Sequence, residues 1–120
     1  MTAQSQHVLI YTTWPDAESA AAAGEELVSR RLAACVNILA PATSIYQWQG
    51  SIERAQETPM LVKTVRRRID SVIARIRTLH PYDVPAVVVL SIEGGNSDFL
   101  AWLSTETTDA TDAKSGGGHA

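Results

Sequence analysis

One cysteine, Cys35, stands alone in a chain of 120 residues. A single thiol excludes an intrachain disulfide and any cysteine-rich zinc cage. Positive charge is not in excess. The formal net charge is −3, which argues against a general nucleic-acid binder. No apolar run approaches the ~20 residues of a membrane-spanning helix, so no membrane partner is expected. The start, MTAQSQHVLIYTT, lacks a charged region followed by a long apolar core. No signal peptide is visible there, and a cytoplasmic domain is expected. A GxGxxG fingerprint, a phosphate-loop motif, an HExxH pair and a glycine elbow around Cys35 are missing as well. What is present is 45% apolar residues, enough for the core of one compact domain.

Residues 7–13, HVLIYTT, are β-branched and aromatic, and read as a strand covered on both faces. Trp14-Pro15-Asp16 breaks it. Asp16 is a helix N-cap, and Glu18 is well placed against the helix dipole. From Ala17 onward, Ala20, Gly24, Leu27, Val28 and Leu32 recur at the three- and four-residue steps of a helix. The early part of this stripe is small, so the helix can approach a sheet closely.

Residues 35–39 read as strand. Pro41 has no N–H to give a ladder, so it marks a bulge or an edge. Strand character resumes at Thr43, with Tyr46 and Trp48 on one face and Ile45, Gln47 and Gln49 on the other. Gln49-Gly50-Ser51 is a turn. Strand returns at Ser51–Glu53, is interrupted over Ala55–Pro59, and resumes over Met60–Val65. Residues 35–65 therefore form one long, kinked hairpin. Strands usually run ~5–6 residues, so this arm overruns the core that two helices can cover. Its tip carries Tyr46, Trp48 and Ile52, which a monomer would expose. Exposed apolar edges invite pairing, so an oligomer is expected. The alternative is a hairpin folded back on its own domain.

Arg66 to Leu79 is a second helix, with Ile69, Val72, Ile73, Ile76 and Leu79 in one stripe. Arg66, Arg67 and Arg68 sit near its positive end, and a solvated face is preferred there to an anion site. His80-Pro81 ends the helix. Ala86–Ile92 reads as a buried central strand. Gly94-Gly95-Asn96-Ser97 is the next break, with Asn96 or Ser97 capping a short helix that carries Phe99, Leu100, Trp102 and Leu103. From Ser104 the chain is polar and expected to be disordered. The order β-α-β-β-α-β plus a short C-terminal helix is the ferredoxin-like α+β pattern. It predicts a four-stranded antiparallel sheet with two helices on one face. Residues 1–103 form a single domain and 104–120 a polar tail. The other sheet face needs cover, and subunit packing is the simplest source of it.

Few side chains carry chemistry. Cys35 is a soft-metal ligand or nucleophile by type, yet free cysteine is among the most buried residues. His80 is a ligand or base by type; its other role is to close the helix and bond a loop carbonyl. Tight metal binding needs three or four ligands, so carboxylates such as Glu57, Asp83 or Glu93, or a neighbouring chain, would have to complete a site. A Cys35–His80 hydrolase pair requires hydrogen-bond contact. Lys63, in the apolar strand MLVKTV, either pairs with Glu57 or Glu93 or points to solvent.

Five segments occur together in order: RLAACVNI, TSIYQWQGSIE, LVKT, LHPYDVP, and the run from Gly95 to Leu103. They closely resemble the CutA divalent-cation tolerance family over about residues 8–103. The resemblance implies a cytoplasmic homotrimer, similar to PII signalling proteins, whose extended hairpin arms wrap neighbouring subunits. It implies copper or another divalent cation as ligand, through Cys35 and His80. No established catalytic reaction accompanies the family, so the chain is not expected to be an enzyme. Tyr46, Trp48, Glu57, Lys63, His80, Tyr82 and Trp102 match positions that line a cleft between subunits. Some members carry a further cysteine and a second histidine where this chain has Thr12 and Leu79, which weakens a metal site built on them. Two functions follow: weak metal binding in cation tolerance, or a PII-like module that binds a small ligand in the cleft.

Overall fold

The computed structural model describes residues 5–108. Strand β1, His7–Trp14, leads through the cap at Asp16 into helix α1, Ala17–Ser29. Asp16 Oδ1 accepts from the Ser19 amide at 2.7 Å, so the expected N-cap forms. Helix α1 ends without glycine. Arg31 takes φ 59°, its amide donates to Val28 O, and the Leu32 amide donates to Leu27 O, the paired bonds of a Schellman ending. Strand β2, Cys35–Ile38, and strand β3, Ala42–Trp48, lie along one strand of fifteen residues, β4, Ser51–Val65. A 3-10 turn at Arg66–Arg68 opens helix α2, Ile69–Leu79. Strand β5, Val87–Ser91, and helix α3, Ser97–Glu106, complete the chain.

The sheet order is β2-β4-β1-β5, with β3 paired to β4, and every pairing is antiparallel. This is the α+β arrangement expected, with five strands instead of four. The extra strand arises at Pro41. Ile38 pairs with Met60 and Ala42 with Glu57, so Leu39, Ala40 and Pro41 oppose only Thr58 and Pro59. One extra residue is a bulge, and it divides the expected second strand into β2 and β3.

On the other side of that bulge β4 does not break. The interruption expected over Ala55–Pro59 is absent, because β1 and β3 pair with β4 through this stretch. Pro59 O accepts from the Leu39 amide at 2.9 Å. Its missing donor falls on the bulged side, where no regular ladder needs one. The tip is a two-residue turn. Gln49 and Gly50 have φ of 49° and 83°, the left-handed pair that suits the twist of a hairpin.

Helices α1 and α2 cover one sheet face. Val8, Ile10, Met60 and Val62 from the sheet meet Ala20, Ala23, Leu27, Val72 and Ile76 from the helices. The small stripe on α1 lets it sit close. A Cβ on Gly24 would come within 2.7 Å of Val36 Cγ2 and 3.3 Å of Met60 Sδ.

Three further expectations change. Among the described residues strand β5 pairs only with β1, so it is an edge strand and not the central one, with Val88 and Leu90 exposed. An all-apolar run does not distinguish a central strand from an edge whose outer face is still uncovered. Strand β1 is buried all along its helix-covered face, whereas on the other His7, Leu9 and Tyr11 are half-buried and Thr13 is buried. The arginine triplet is more than a solvated face. Arg66 Nε donates to Ser5 O at 2.6 Å and Arg68 Nε to Thr107 O at 2.9 Å.

The tail boundary at 104 also moves. Ser104–Glu106 are the last turn of α3, and Thr107 is buried. Thr107 Oγ1 donates to Leu103 O, while Arg31 Nη1 donates to Glu106 O. Together with Arg68, cationic side chains hold the carbonyl end of this helix. The rest of the expected tail, from 109, lies outside the described residues.

Candidate functional site

Side chains alternate across a strand, so the antiparallel register sorts the candidates by face. Cys35 lies opposite Lys63, which lies opposite Leu9, which lies opposite Leu90. Glu57 and Lys63 are both odd-numbered on β4 and share this face. Tyr46 pairs with Glu53 and Trp48 with Ser51, so they join it. Every strand residue among the candidates therefore stands on the sheet face away from α1 and α2. Helix α3 packs on β4 and β1 at one end of this face. There Phe99 stacks near Trp102 at 5.7 Å, and the Lys63 ammonium lies 5.6 Å from the Phe99 ring. That cation–π contact answers the choice posed for Lys63. Neither Glu57 nor Glu93 forms an ion pair with it among the described residues.

The candidates share a face but not a pocket. At ~3.3 Å per residue, Trp48, Glu57 and Lys63 are spaced about 20 Å apart along β4. Lys63, Cys35 and Trp102 form one group beside α3. Glu57, Tyr82 and His80 form another at the base of the arm. Tyr46, close enough to Tyr82 to act on its hydroxyl, lies between them and Trp48 near the tip.

The second group is held by the end of β1. Thr13 Oγ1 donates to Glu57 Oε2 at 3.4 Å. His80 is 7% exposed and caps α2, its amide donating to Ile76 O. Its ring lies 2.7 Å through Nε2 from Thr13 O, and its Nδ1 is 3.2 Å from the Tyr82 amide. A carbonyl can only accept and an amide N–H can only donate. These partners assign Nε2 as protonated and Nδ1 as the acceptor, in a neutral ring. The ring is packed between Trp14 at 4.3 Å and Tyr82 at 4.8 Å. Partial burial pushes the Tyr82 hydroxyl up from its ordinary value, and the charges of Glu57, Tyr46 and Asp16 add to the shift. A shallow groove of about 470 Å³ opens here, lined by Arg77, Thr78, His80, Tyr82 and Asp83.

As a metal pair, Cys35 and His80 fit poorly within one chain. Cys35 is in the row of Leu9, while His80 bonds Thr13, four residues further along β1. The separation along the strand alone is about 13 Å. Both ring nitrogens of His80 are already engaged. Burial raises the Cys35 thiol, an effect that Lys63 only partly opposes, so the thiolate needed for metal binding or attack is disfavoured. The same distance removes the Cys35–His80 hydrolase pair. Among the described residues no three His, Cys, Asp or Glu side chains converge as a metal site.

Sequence reasoning did not find Thr13 or Trp14 as members of this site. The Trp14-Pro15-Asp16 break marked the end of a strand, and nothing local signals a partner 67 positions away.

The family model of the CutA1 divalent ion tolerance protein matches residues 8–106. The chain belongs to the CutA divalent-cation tolerance family. The divalent-cation tolerance protein CutA of Thermus thermophilus is 43% identical over 99 residues, 82% of this chain and 96% of that one. A crystal structure of CutA from Xylella fastidiosa superposes with a TM-score of 0.84 at 40% identity, covering 87% of this chain and 100% of that one. The periplasmic divalent cation tolerance protein CutA of Archaeoglobus fulgidus superposes with a TM-score of 0.83 at 36% identity, covering 85% and 99%. Among the described residues, no helix is long and apolar enough to cross a membrane. The family is named for divalent-cation tolerance.

Proposed function

We propose that this chain acts in divalent-cation tolerance as a non-catalytic, cytoplasmic homotrimer whose working surface is the open sheet face and the arm. The observation that carries this reading is the exposure of Tyr46 and Trp48 on the arm and of Val88 and Leu90 on the edge strand, all on the open sheet face and left uncovered by the other described residues, with Ile45 and Ile52 exposed on the arm's opposite face. Contiguous exposed apolar surface marks an association site. A second copy laid on this face would bring the separated groups at Glu57 and Lys63 against side chains of its neighbour. A cleft lined by Tyr46, Trp48, Glu57, Lys63, His80, Tyr82 and Trp102 then belongs to the assembly and not to one chain. The geometry favours a small-ligand cleft over a tight copper site, because Cys35 and His80 are apart and His80 is fully bonded. A copper ion or another divalent cation would need donors from more than one chain, so its binding would be weak.

Sedimentation or light scattering at micromolar concentration tests the assembly, and a monomeric mass would sink the proposal. Copper titration by calorimetry tests the site. Modest affinity is expected, and tight binding lost in both Cys35→Ala and His80→Ala would restore the direct metal reading.

A further inference from the structure

We propose that the groove between the end of α1 and the flank of α2 binds a small phosphate ester, with Arg75 and Arg30 as the cations that hold its phosphate. The site stands apart from the assembly proposed above. It lies on the helix side of the sheet and is complete within one chain.

Helix α2 carries two stripes. Val72 and Ile76 turn into the core. Beside them Ser71, Ala74, Arg75 and Thr78 recur at three- and four-residue steps, the spacing of one helix flank. A flank that served only to pack against α1 would be apolar. This one is polar, with a small alanine at its centre. Together with Arg30 and Leu32, which follow the last turn of α1, it lines a groove of about 410 Å³. That volume falls in the range of small-molecule sites. It leaves room for an organic group beside an anion.

Arg75 carries the inference. Arg31, Arg66, Arg68 and Arg75 are the half-buried arginines of the described residues. Arg31 reaches Glu106, Arg66 reaches Ser5 and Ser91, and Arg68 reaches Thr107. Among the described residues Arg75 has neither an ion pair nor a hydrogen bond. A guanidinium drawn partly out of water with no acceptor from its own chain favours an anion from outside. The Ser71 hydroxyl is a further donor on the same flank. Thr78 is not, because its Oγ1 already donates to Ala74 O at 3.1 Å. Arg30 is held by one contact, Nη2 to Glu26 Oε1 at 3.2 Å. Surface pairs of this kind hold weakly, and its other N–H groups remain for a ligand. Carboxylates do not cancel the two cations. Glu26 is outside the lining, and so is Asp70, the neighbour of Ser71 in sequence. Guanidinium groups meet phosphate oxygens with parallel N–H bonds, which suits them to this anion above a halide. Leu32 and Ala74 supply apolar contact for the organic part.

Nitrogen-15 NMR titration of the full chain at fixed ionic strength, with inorganic phosphate and phenyl phosphate as probes, tests this. Saturable shifts are expected at Nε of Arg75 and Arg30 and at the Ser71 amide, with phenyl phosphate the tighter ligand. Arg75→Gln should weaken phenyl phosphate binding by ~10-fold or more, and Arg30→Gln and Ser71→Ala by less. Arg67→Gln removes the same charge from an exposed position outside the groove and should leave binding nearly unchanged. All four side chains lie outside the core, so the variants keep the fold. An absence of saturable shifts, an equal loss in Arg67→Gln and Arg75→Gln, or phenyl phosphate binding no tighter than phosphate would each overturn the proposal.

Discussion

Two tryptophans summarise the two halves of this molecule. Trp14 ends β1 beneath the helices and is 1% exposed, whereas Trp48 is 59% exposed near the arm tip. Both sit in strands of one connected sheet, and the hydrogen-bonded ladder is equally regular around each. The difference lies in what covers them. The helix-covered face has a closed core in which volume is critical. The arm and the open face have the backbone order of a folded sheet without the packing that normally stabilises one. Such a surface is stable in isolation only as far as its ladder and cross-strand pairs allow. Regular secondary structure is therefore a poor guide to where this chain stores its stability.

Substitutions in the two halves should separate cleanly. Ile76→Ala empties volume in the closed core and should cost about 2–5 kcal/mol, read by urea denaturation. Gly24→Ala should come next. The methyl would collide with Val36 and Met60, and overpacking costs about 1–3 kcal/mol. That exceeds the ~1 kcal/mol that alanine offers over glycine in a helix. A stabilised Gly24→Ala would mean that α1 can shift away from the sheet. On the arm, Ile52→Ala removes a side chain that is 73% exposed. In a lone chain it should change stability by no more than ~0.5 kcal/mol. In the proposed assembly it should weaken association while leaving the fold intact, so unfolding monitored against protein concentration tells the two apart. The smallest effect belongs to Asp16. Its bonds from Ser19 hold its carboxyl below the ordinary value, against a smaller opposing effect of desolvation. A depressed carboxyl stabilises the fold above its unfolded pKa, near 3.8, and that contribution is lost as pH falls through the folded value. The gap in thermal midpoint between the parent and Asp16→Ala should therefore narrow below about pH 4.

The elements that sequence made legible are those whose causes are local. Asp16 caps α1 because its side chain reaches an amide three residues on. His80-Pro81 stops α2, and Gln49-Gly50 turns the arm, for equally local reasons. The expectation at Pro41 of a bulge or an edge held because a missing N–H is a property of one residue. Pro59 misled for the complementary reason. Whether a missing donor breaks a strand depends on which neighbour needs it, and only the register of β2 and β3 answers that. Strand β5 misled because apolar residues on both faces can await a second chain as well as a second layer. At the site, the residue types were legible and their relations were not. Cys35 and His80 looked like a pair by chemistry. The sheet sets them about 13 Å apart along a strand and gives His80 other partners.

The two-residue turn at Gln49-Gly50 makes the arm's length a matter of parity. Each pair of residues inserted beside the turn, one on either strand, would extend the arm by about 3.3 Å and exchange the faces of everything beyond it. Two such pairs would restore the original faces and displace the tip by about 7 Å. A single unmatched residue would break the pairing of Tyr46 with Glu53 and Trp48 with Ser51. Changes in reach that keep both tip and base chemistry thus come in steps of four residues, a quantised length that a flexible loop would not have.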